Sequence, residues 1–172
     1  MNHFLKRGLA AAALGGMLVG LAAPPAKAQT TAAPARSGDD ASRELVLAPY
    51  AHHFSHDSEH RHVVLVGLER IQRDGSLWGG AIFRNSFGQG SGYAYYGQVW
   101  DDIFDGSGVY FKLSGGILYG YRGNYKDKVP FNHGGFSPAI IPAVGYRMAS
   151  HDALQVAALG KAGLIFSYNH GF

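Results

Sequence analysis

The chain has 172 residues, 15 Lys+Arg against 12 Asp+Glu, and no cysteine. That length suits one domain with a tail, and the missing thiols exclude disulfide frameworks, cysteine nucleophiles and Cys-based zinc or iron–sulfur centres. Aromatics make up 13% of the chain and charged residues only 16%, the reverse of a disordered chain, which is rich in charge and poor in aromatics.

The first segment, MNHFLKRGLAAAALGGMLVGLAAPPAKAQ, has the layout of a secretory signal peptide. Lys6 and Arg7 form the positive n-region, Gly8 to Ala23 the short apolar stretch, and Ala26-Lys27-Ala28 a small-x-small cleavage site. Residues 1–28 are therefore set apart from the fold; the alternative is an uncleaved anchor helix. Their removal takes away Lys6, Arg7 and Lys27 and no acid, so the remaining chain balances its charges. The basic footprint of a nucleic-acid binder is missing, and no nucleic-acid partner is expected. Residues 29–44 are polar and Ala-rich. They read as a flexible lead-in, with room for one short helix after Ser37 or Asp39. Residues 45–172 are the domain proper.

From Leu45 onward the hydrophobic period is two. Eight alternating runs follow: Leu45–Phe54, His62–Ile71, Leu77–Phe87, Tyr93–Trp100, Val109–Arg122, Ser137–Met148, Ala153–Leu159 and Gly163–Phe172. Their separators (RDGS, GQGSG, DDIFDGSG, ASHD) carry turn chemistry. Several runs approach the roughly 9–11 residues that a tilted strand needs to cross a bilayer. In the last run Leu164, Phe166, Tyr168, His170 and Phe172 share one face, and Gly163, Ile165, Ser167, Asn169 and Gly171 the other. In the fifth, Phe111, Leu113, Ile117, Tyr119 and Tyr121 oppose Lys112, Ser114, Gly116, Leu118, Gly120 and Arg122. Large apolar residues on one side and small or polar ones on the other suit a barrel that is apolar outside. The expected fold is all-β, an eight-stranded antiparallel up-and-down transmembrane β-barrel in the cell outer membrane. A soluble lipocalin-like barrel or a sandwich has the same period but carries its large side chains inward.

With the N-terminus in the periplasm, the connections Ser55–Arg61, Gly88–Gly92, Gly123–Phe136 and Gly160–Ala162 face outside. The unusual polar residues then collect at one rim: His53, Ser55, Arg84, Asn85, Ser86, Tyr121, Arg122, Asn124, Tyr125, Lys126 and Lys128. Parity is ambiguous in the first run, where both faces carry apolar residues. In the third, an arginine in lipid is costly, so Arg84 and Ser86 are expected to point inward, and Asn85 outward unless a bulge or loop begins there. Gly80, Gly116 and Gly120 would leave the lumen thinly filled, with room for a hydrocarbon chain.

Each candidate for chemistry has a bland counterpart. His53 with Ser86 offers an imidazole base beside a hydroxyl, or two solvated rim residues. His52, His53, His56, His60 and His62 are types that hold zinc or copper, but the spacing is not that of a metal-binding helix. We read that stretch as a polar loop and expect no metal. Tyr121 to Lys128 offers Arg122 and Lys126 for phosphate groups, or an ordinary charged loop. Pro138 and Pro142 remove ladder hydrogen bonds from a strand that a closed barrel makes central. Such gaps would let a lipid chain pass sideways; the alternative is a bulge or a frayed strand start.

Short motifs resemble the lipid A palmitoyltransferase family. Phe83-Arg84-Asn85-Ser86-Phe87 is similar to that family's Phe-Lys-Asp-Ser-Trp stretch, followed in both by a Tyr/Gly-rich strand ending in Trp, here Tyr93 to Trp100. Trp78-Gly79-Gly80 resembles its Trp-Gly-Gly, and Ile141-Pro142-Ala143-Val144-Gly145-Tyr146 its Leu-Pro…Val-Gly-Tyr strand. The likeness covers residues 45–172. Asn85 stands where the family has an acid, and the family's long amphipathic N-terminal helix is not evident in residues 29–44. The resemblance implies transfer of a palmitoyl-type chain from a glycerophospholipid to a hydroxyl of lipid A. His53 would be the general base, with Asn85 and Ser86 completing the catalytic group. Arg84, Tyr121, Arg122, Lys126, Pro138 and Pro142 would handle substrate. The enzyme would be monomeric and need no cofactor. Two alternatives remain. His53-Phe54-Ser55 resembles the His-x-Ser element of lipid A 3-O-deacylases, with Ser55 as nucleophile and Glu69 as a distant acid. The other is a small structural barrel without catalysis.

Overall fold

The computed structural model describes residues 41–55, 59–148 and 151–172. The signal-like segment, the cleavage site and nearly all of the lead-in, with its short helix, lie outside the described residues. The described chain is nearly all strand: β1 Ser42–His53, β2 Val64–Ile71, β3 Ser76–Arg84, β4 Gly90–Trp100, β5 Val109–Tyr119, β6 Phe136–Arg147, β7 Asp152–Ala158 and β8 Gly163–Gly171. A short 3-10 helix, Gly123–Lys128, lies between β5 and β6. The strands close into an antiparallel barrel in chain order, with β8 back on β1. Each alternating run is thus one strand. β1 opens at Ser42, inside the segment read as lead-in, and so brings Glu44 into the barrel wall.

The short turns follow local chemistry. Between β2 and β3, Asp74 accepts the Ser76 N–H at 2.9 Å. Gly75 takes φ +80°, and a Cβ there would meet the Val99 carbonyl oxygen at 2.2 Å. The Arg73-Asp74-Gly75-Ser76 sequence is therefore a turn that only glycine closes. The β4–β5 connection is gathered by Asp102, whose carboxylate accepts the N–H groups of Gly106 and Gly108. The longer connections, after β1 and β5, lie at the opposite end, hereafter the loop end. The chain enters β1 and leaves β8 at the terminus end.

The two faces differ as the alternation requires. Trp78, Ile82, Tyr96, Ile117, Ile140, Val144, Leu154 and Phe166 are exposed on the outer wall. Ile82 and Ile140 are 74% exposed, whereas Leu77, one position out of phase on β3, is 0% exposed. This is the reverse of a soluble barrel, which buries its large side chains. So broad an apolar exterior exceeds what a monomeric soluble protein normally leaves in water. Among the described residues, no helix is long and apolar enough to cross a membrane.

The interior has two unlike halves. Toward the terminus end, Glu44 and Glu69 are cross-strand partners that both face inward. Two buried carboxylates repel, and cations from the far wall answer them. Lys112 on β5 reaches both Glu69 oxygens, at 2.8 and 3.1 Å. Arg147 on β6 lies 3.3 Å from Glu44 and 2.9 Å from Asp101. The Tyr95 hydroxyl donates to Glu69 at 2.7 Å, and Tyr110, Gln155, Ser167 and Asn169 extend the network back to Glu44. An apolar layer of Ile71, Leu77, Val99, Tyr110 and Ala153 packs at the same end. Toward the loop end the lining is apolar and mostly small: Ala48, Val63, Ala143, Ala157 and Ile165, with Ala51, Leu65, Phe83, Ile141 and Leu159 against them.

Candidate active site at the loop end

His53 closes β1, and a bulge decides where it points. The β1–β8 register shifts between Leu47 and Tyr50, where Pro49 has no N–H to offer the ladder. Before the shift, Glu44, Val46 and Ala48 are buried; after it, Tyr50 and His52 are exposed while Ala51 and His53 are half-buried. The inserted residue changes phase, so His53 faces inward with Glu44, Val46 and Ala48. Gly163 of β8 is its register partner. A Cβ on Gly163 would lie 1.9 Å from the His52 carbonyl oxygen, so only glycine lets β8 approach β1 here. The Ala162 carbonyl, which accepts the Phe54 N–H at 3.1 Å, lies beside the His53 ring, and the ring's Nε2 is buried with no partner among the described residues.

Asn85 and Ser86 start the turn after β3. Asn85 is 0% exposed. Its Oδ1 accepts the N–H groups of Phe87 and Gln89, each at 3.0 Å, while its Nδ2 is buried without a partner. The side chain therefore builds the turn with its oxygen and keeps one donor unused. Ser86 is also buried, and its carbonyl accepts the Arg61 N–H at 2.7 Å, tying the first loop to this turn. Tyr121 follows Gly120 with φ 53°, which folds its ring back over the barrel mouth instead of continuing the outward face of β5. Burial raises its phenol above the ordinary range, and a hydrogen bond with the Ser86 side chain offsets part of that rise.

No hydrogen bond joins His53 to Asn85 or Ser86 among the described residues. Rings bridge the interval instead. His60 lies on His53 with centroids 4.3 Å apart, and Phe87 meets His60 at 5.4 Å. Tyr125 stacks on Phe87 at 4.4 Å, with the Lys128 ammonium 5.0 Å from the same ring. Arg122 is clasped by Gln89, which takes its N–H at 2.8 Å and donates to its carbonyl at 3.0 Å. Its guanidinium lies over the Tyr119 ring. Lys126 is exposed in the 3-10 helix.

The wall beside this mouth is incomplete. β5 and β6 pair along their whole length, from Val109↔Tyr146 to Tyr119↔Phe136. β6 pairs with β7 only from Ala143↔Ala157 to Arg147↔Ala153. The Arg147 N–H bonds Gly108 on the β5 side, and the Met148 N–H bonds Asp152 on the β7 side. Antiparallel alternation then turns the backbone of Pro138, Ile140 and Pro142 toward β7, where no strand pairs with them. Both prolines thus sit where the missing N–H faces an unladdered edge. They are neither bulges nor a frayed start, since each keeps its register with β5.

Two expectations need correction, the facing of Arg84 and that of Gly80. Arg84 points outward and is exposed, on the face of Trp78, Gly80 and Ile82, and Asn85 is the inward residue. Arg84 avoids the cost of burial in an apolar layer by lying at the strand's end, where a long side chain reaches polar surroundings. Gly80 consequently does not line the interior. Ser55 is exposed, and Glu69 is ion-paired to Lys112 in the other half of the barrel, so the acid of the deacylase reading is not at the rim. His60, Phe87 and Gln89 were not singled out from the sequence as site residues. His60 was visible only as one member of a histidine-rich loop, and the contacts of all three depend on loops meeting across the mouth. Among the described residues, no group of three or more metal-binding side chains is brought together. The chain matches no family model and no curated protein.

Proposed function

We propose that the protein is an outer-membrane acyltransferase that moves a palmitoyl-type chain from a glycerophospholipid to a hydroxyl of lipid A. The observation that carries this reading is the His53 imidazole: inward at the barrel mouth, half-buried, with a buried Nε2 that has no partner among the described residues. That is the arrangement a general base needs before substrate arrives. The small apolar lining of the loop half supplies a place for an acyl tail, and the ion-paired belt of Glu69 and Lys112 marks where an apolar chain must stop. The unladdered edge at Pro138 and Pro142 supplies a route from the surrounding lipid. The apolar outer wall and the long loops at one end support the outer-membrane location.

In this reading the acceptor hydroxyl gives its proton to His53 Nε2 while its oxygen attacks the donor's ester carbonyl. The unused Asn85 Nδ2–H donates to the developing oxyanion, and Ser86 holds Tyr121 over the mouth. Collapse breaks the ester C–O bond, and the His53 imidazolium returns the proton to the leaving glycerol oxygen, giving a lysophospholipid. Arg122 and Lys126 attract phosphate groups of the acceptor.

Mass spectrometry of lipid A tests this, with cells expressing the wild-type chain beside cells expressing His53→Ala. The expected wild-type product is heavier by one long acyl chain. The variant should lose on the order of 10²–10⁴-fold in rate while remaining a folded barrel. A lighter lipid A lacking one chain would establish deacylation with Ser55 as nucleophile. Unchanged lipid A, with the barrel folded and phospholipid present in its leaflet, would leave a structural barrel.

A further inference from the structure

Arg43 on β1 and Arg70 on β2 are cross-strand partners at the terminus end. Both are exposed on the outer face of the wall. Like charges directly opposite on one sheet face destabilise the pairing. The adjacent pair, Glu44 and Glu69, poses the same problem inside the barrel and is answered by Arg147 and Lys112. The arginine pair has no such answer: neither guanidinium has a hydrogen-bond or ion-pair partner among the described residues.

The flanking residues say what kind of surface this is. Trp78 is the register partner of Arg70, and the Phe172 N–H bonds the Arg43 carbonyl. Trp78 is 54% exposed and Phe172 65% exposed. Tyr96, next in the row beyond Trp78, is exposed as well. Aromatic rows of this kind form the girdles at the two lipid–water boundaries of a membrane barrel. Two planar cations without a partner among the described residues, within such a row, lie at the depth of headgroup phosphates. Guanidinium matches phosphate with paired donors.

We infer that Arg43 and Arg70 together hold the phosphate of one anionic glycerophospholipid, of the phosphatidylglycerol class, in the leaflet at the terminus end. Its acyl chains lie along the apolar wall beside Trp78. The ligand must be anionic at the head to relieve the arginine repulsion, and apolar in the body because the wall above it is apolar. The inference rests on the membrane reading above and adds a lipid site at the end opposite the candidate active site.

The chain's 2 tryptophans, Trp78 and Trp100, supply the test. Trp100→Phe leaves the reporter beside the site. Trp78→Phe leaves Trp100, which is exposed on β4, as an internal control. Each protein is reconstituted in phosphatidylcholine vesicles containing a minority of phosphatidylglycerol, with brominated chains on one lipid or the other. Trp78 should report phosphatidylglycerol enriched roughly twenty-five-fold over its bulk share, about fivefold for each arginine, and Trp100 should report the bulk share. Arg43→Gln with Arg70→Gln should abolish the enrichment, each single change lowering it roughly fivefold. These variants remove repulsion and should fold at least as well. Quenching of both tryptophans at the bulk share would overturn the inference and leave the membrane reading standing. Enrichment that survives in the double variant would overturn the role of the arginines. A folded barrel whose tryptophans no brominated lipid quenches would overturn the membrane reading, and the inference with it.

Discussion

The two ends of this barrel solve opposite problems with the same strands. At the terminus end the ladders pair without interruption, and the buried charges of Glu44, Glu69, Lys112 and Arg147 have partners across the interior. At the loop end β6 runs unpaired past β7, and His53 Nε2 and Asn85 Nδ2 are buried without partners. Buried polar groups are normally satisfied, and the exceptions call for a reason. Among the described residues two of the three exceptions sit at this mouth, above a mostly small apolar lining, and the third, the Ser42 hydroxyl, lies at the terminus end. The contrast assigns stability to the terminus end and leaves the loop end with the features that the proposed chemistry would use.

The largest effect should come from breaking the satisfied end. Glu69→Ala leaves Lys112 buried without a counterion and removes the Tyr95 acceptor. Loss of one partner of a buried pair costs about 3–5 kcal/mol. Urea unfolding of the barrel in vesicles should show that loss, and Glu69→Met with Lys112→Met should recover most of it. A single variant as stable as the wild type would mean that water reaches the pair, and the contrast between the two ends would fail.

Closing the gap tests the other end. Ile141 and Leu159 pack against the same apolar cluster and continue the Ala143↔Ala157 register past its last pair. Were the ladder extended by this one step, the position would be a non-hydrogen-bonded one, where side chains come close enough to be bridged. Ile141→Cys with Leu159→Cys, in a chain with no other cysteine, should form a disulfide that seals β6 to β7. Acyl transfer should fall about tenfold or more, roughly 1.4 kcal/mol on the barrier, and return on reduction. Unchanged transfer by the oxidised protein would show that donor lipid does not use this edge.

Asn85 separates turn building from catalysis. Asn85→Ala leaves the Phe87 and Gln89 N–H groups without their acceptor, a cost of about 1–2 kcal/mol. Asn85→Asp keeps the acceptor but replaces the unused donor with a second acceptor. Its stability should stay close to that of the wild type while transfer falls. If transfer by Asn85→Asp instead matches or exceeds that of the wild type, Nδ2–H is not the oxyanion donor.

What the sequence could carry follows from the same contrast. A period of two, repeated over eight runs with Asp-Gly and Gly-rich separators, is a property of each strand alone, and it specified strand number, order and, in β5 and β8, the inward face. The direction of His53 was not legible. It depends on one inserted residue near Pro49, and a one-residue slip reverses every side chain beyond it. Arg84 was misplaced because a cost set by depth in the membrane was applied without knowing the depth. The gap beside β6 did leave a trace: β6 has 12 residues and β7 only 7, so part of β6 had to go unpaired on that side. The bridge from His53 through His60 to Phe87 left none, because it exists only where two loops meet.

The smallest effect belongs to the exposed loop at the satisfied end, and its sign can be worked out. The N–H groups of Gly106 and Gly108 hold the Asp102 carboxyl below its ordinary value. Its folded value therefore lies below its unfolded one. Whatever stability it adds is present above the ordinary carboxylate range and is lost as pH falls through the depressed value. Asp102→Asn keeps an acceptor for one N–H and does not titrate, so it should flatten the acid side of the stability curve and leave neutral pH nearly unchanged. The carboxylate is fully exposed, and solvent screens such interactions. The change must then be far smaller than that of Glu69→Ala. Equal losses would mean that the loop, rather than the buried charges, secures the terminus end.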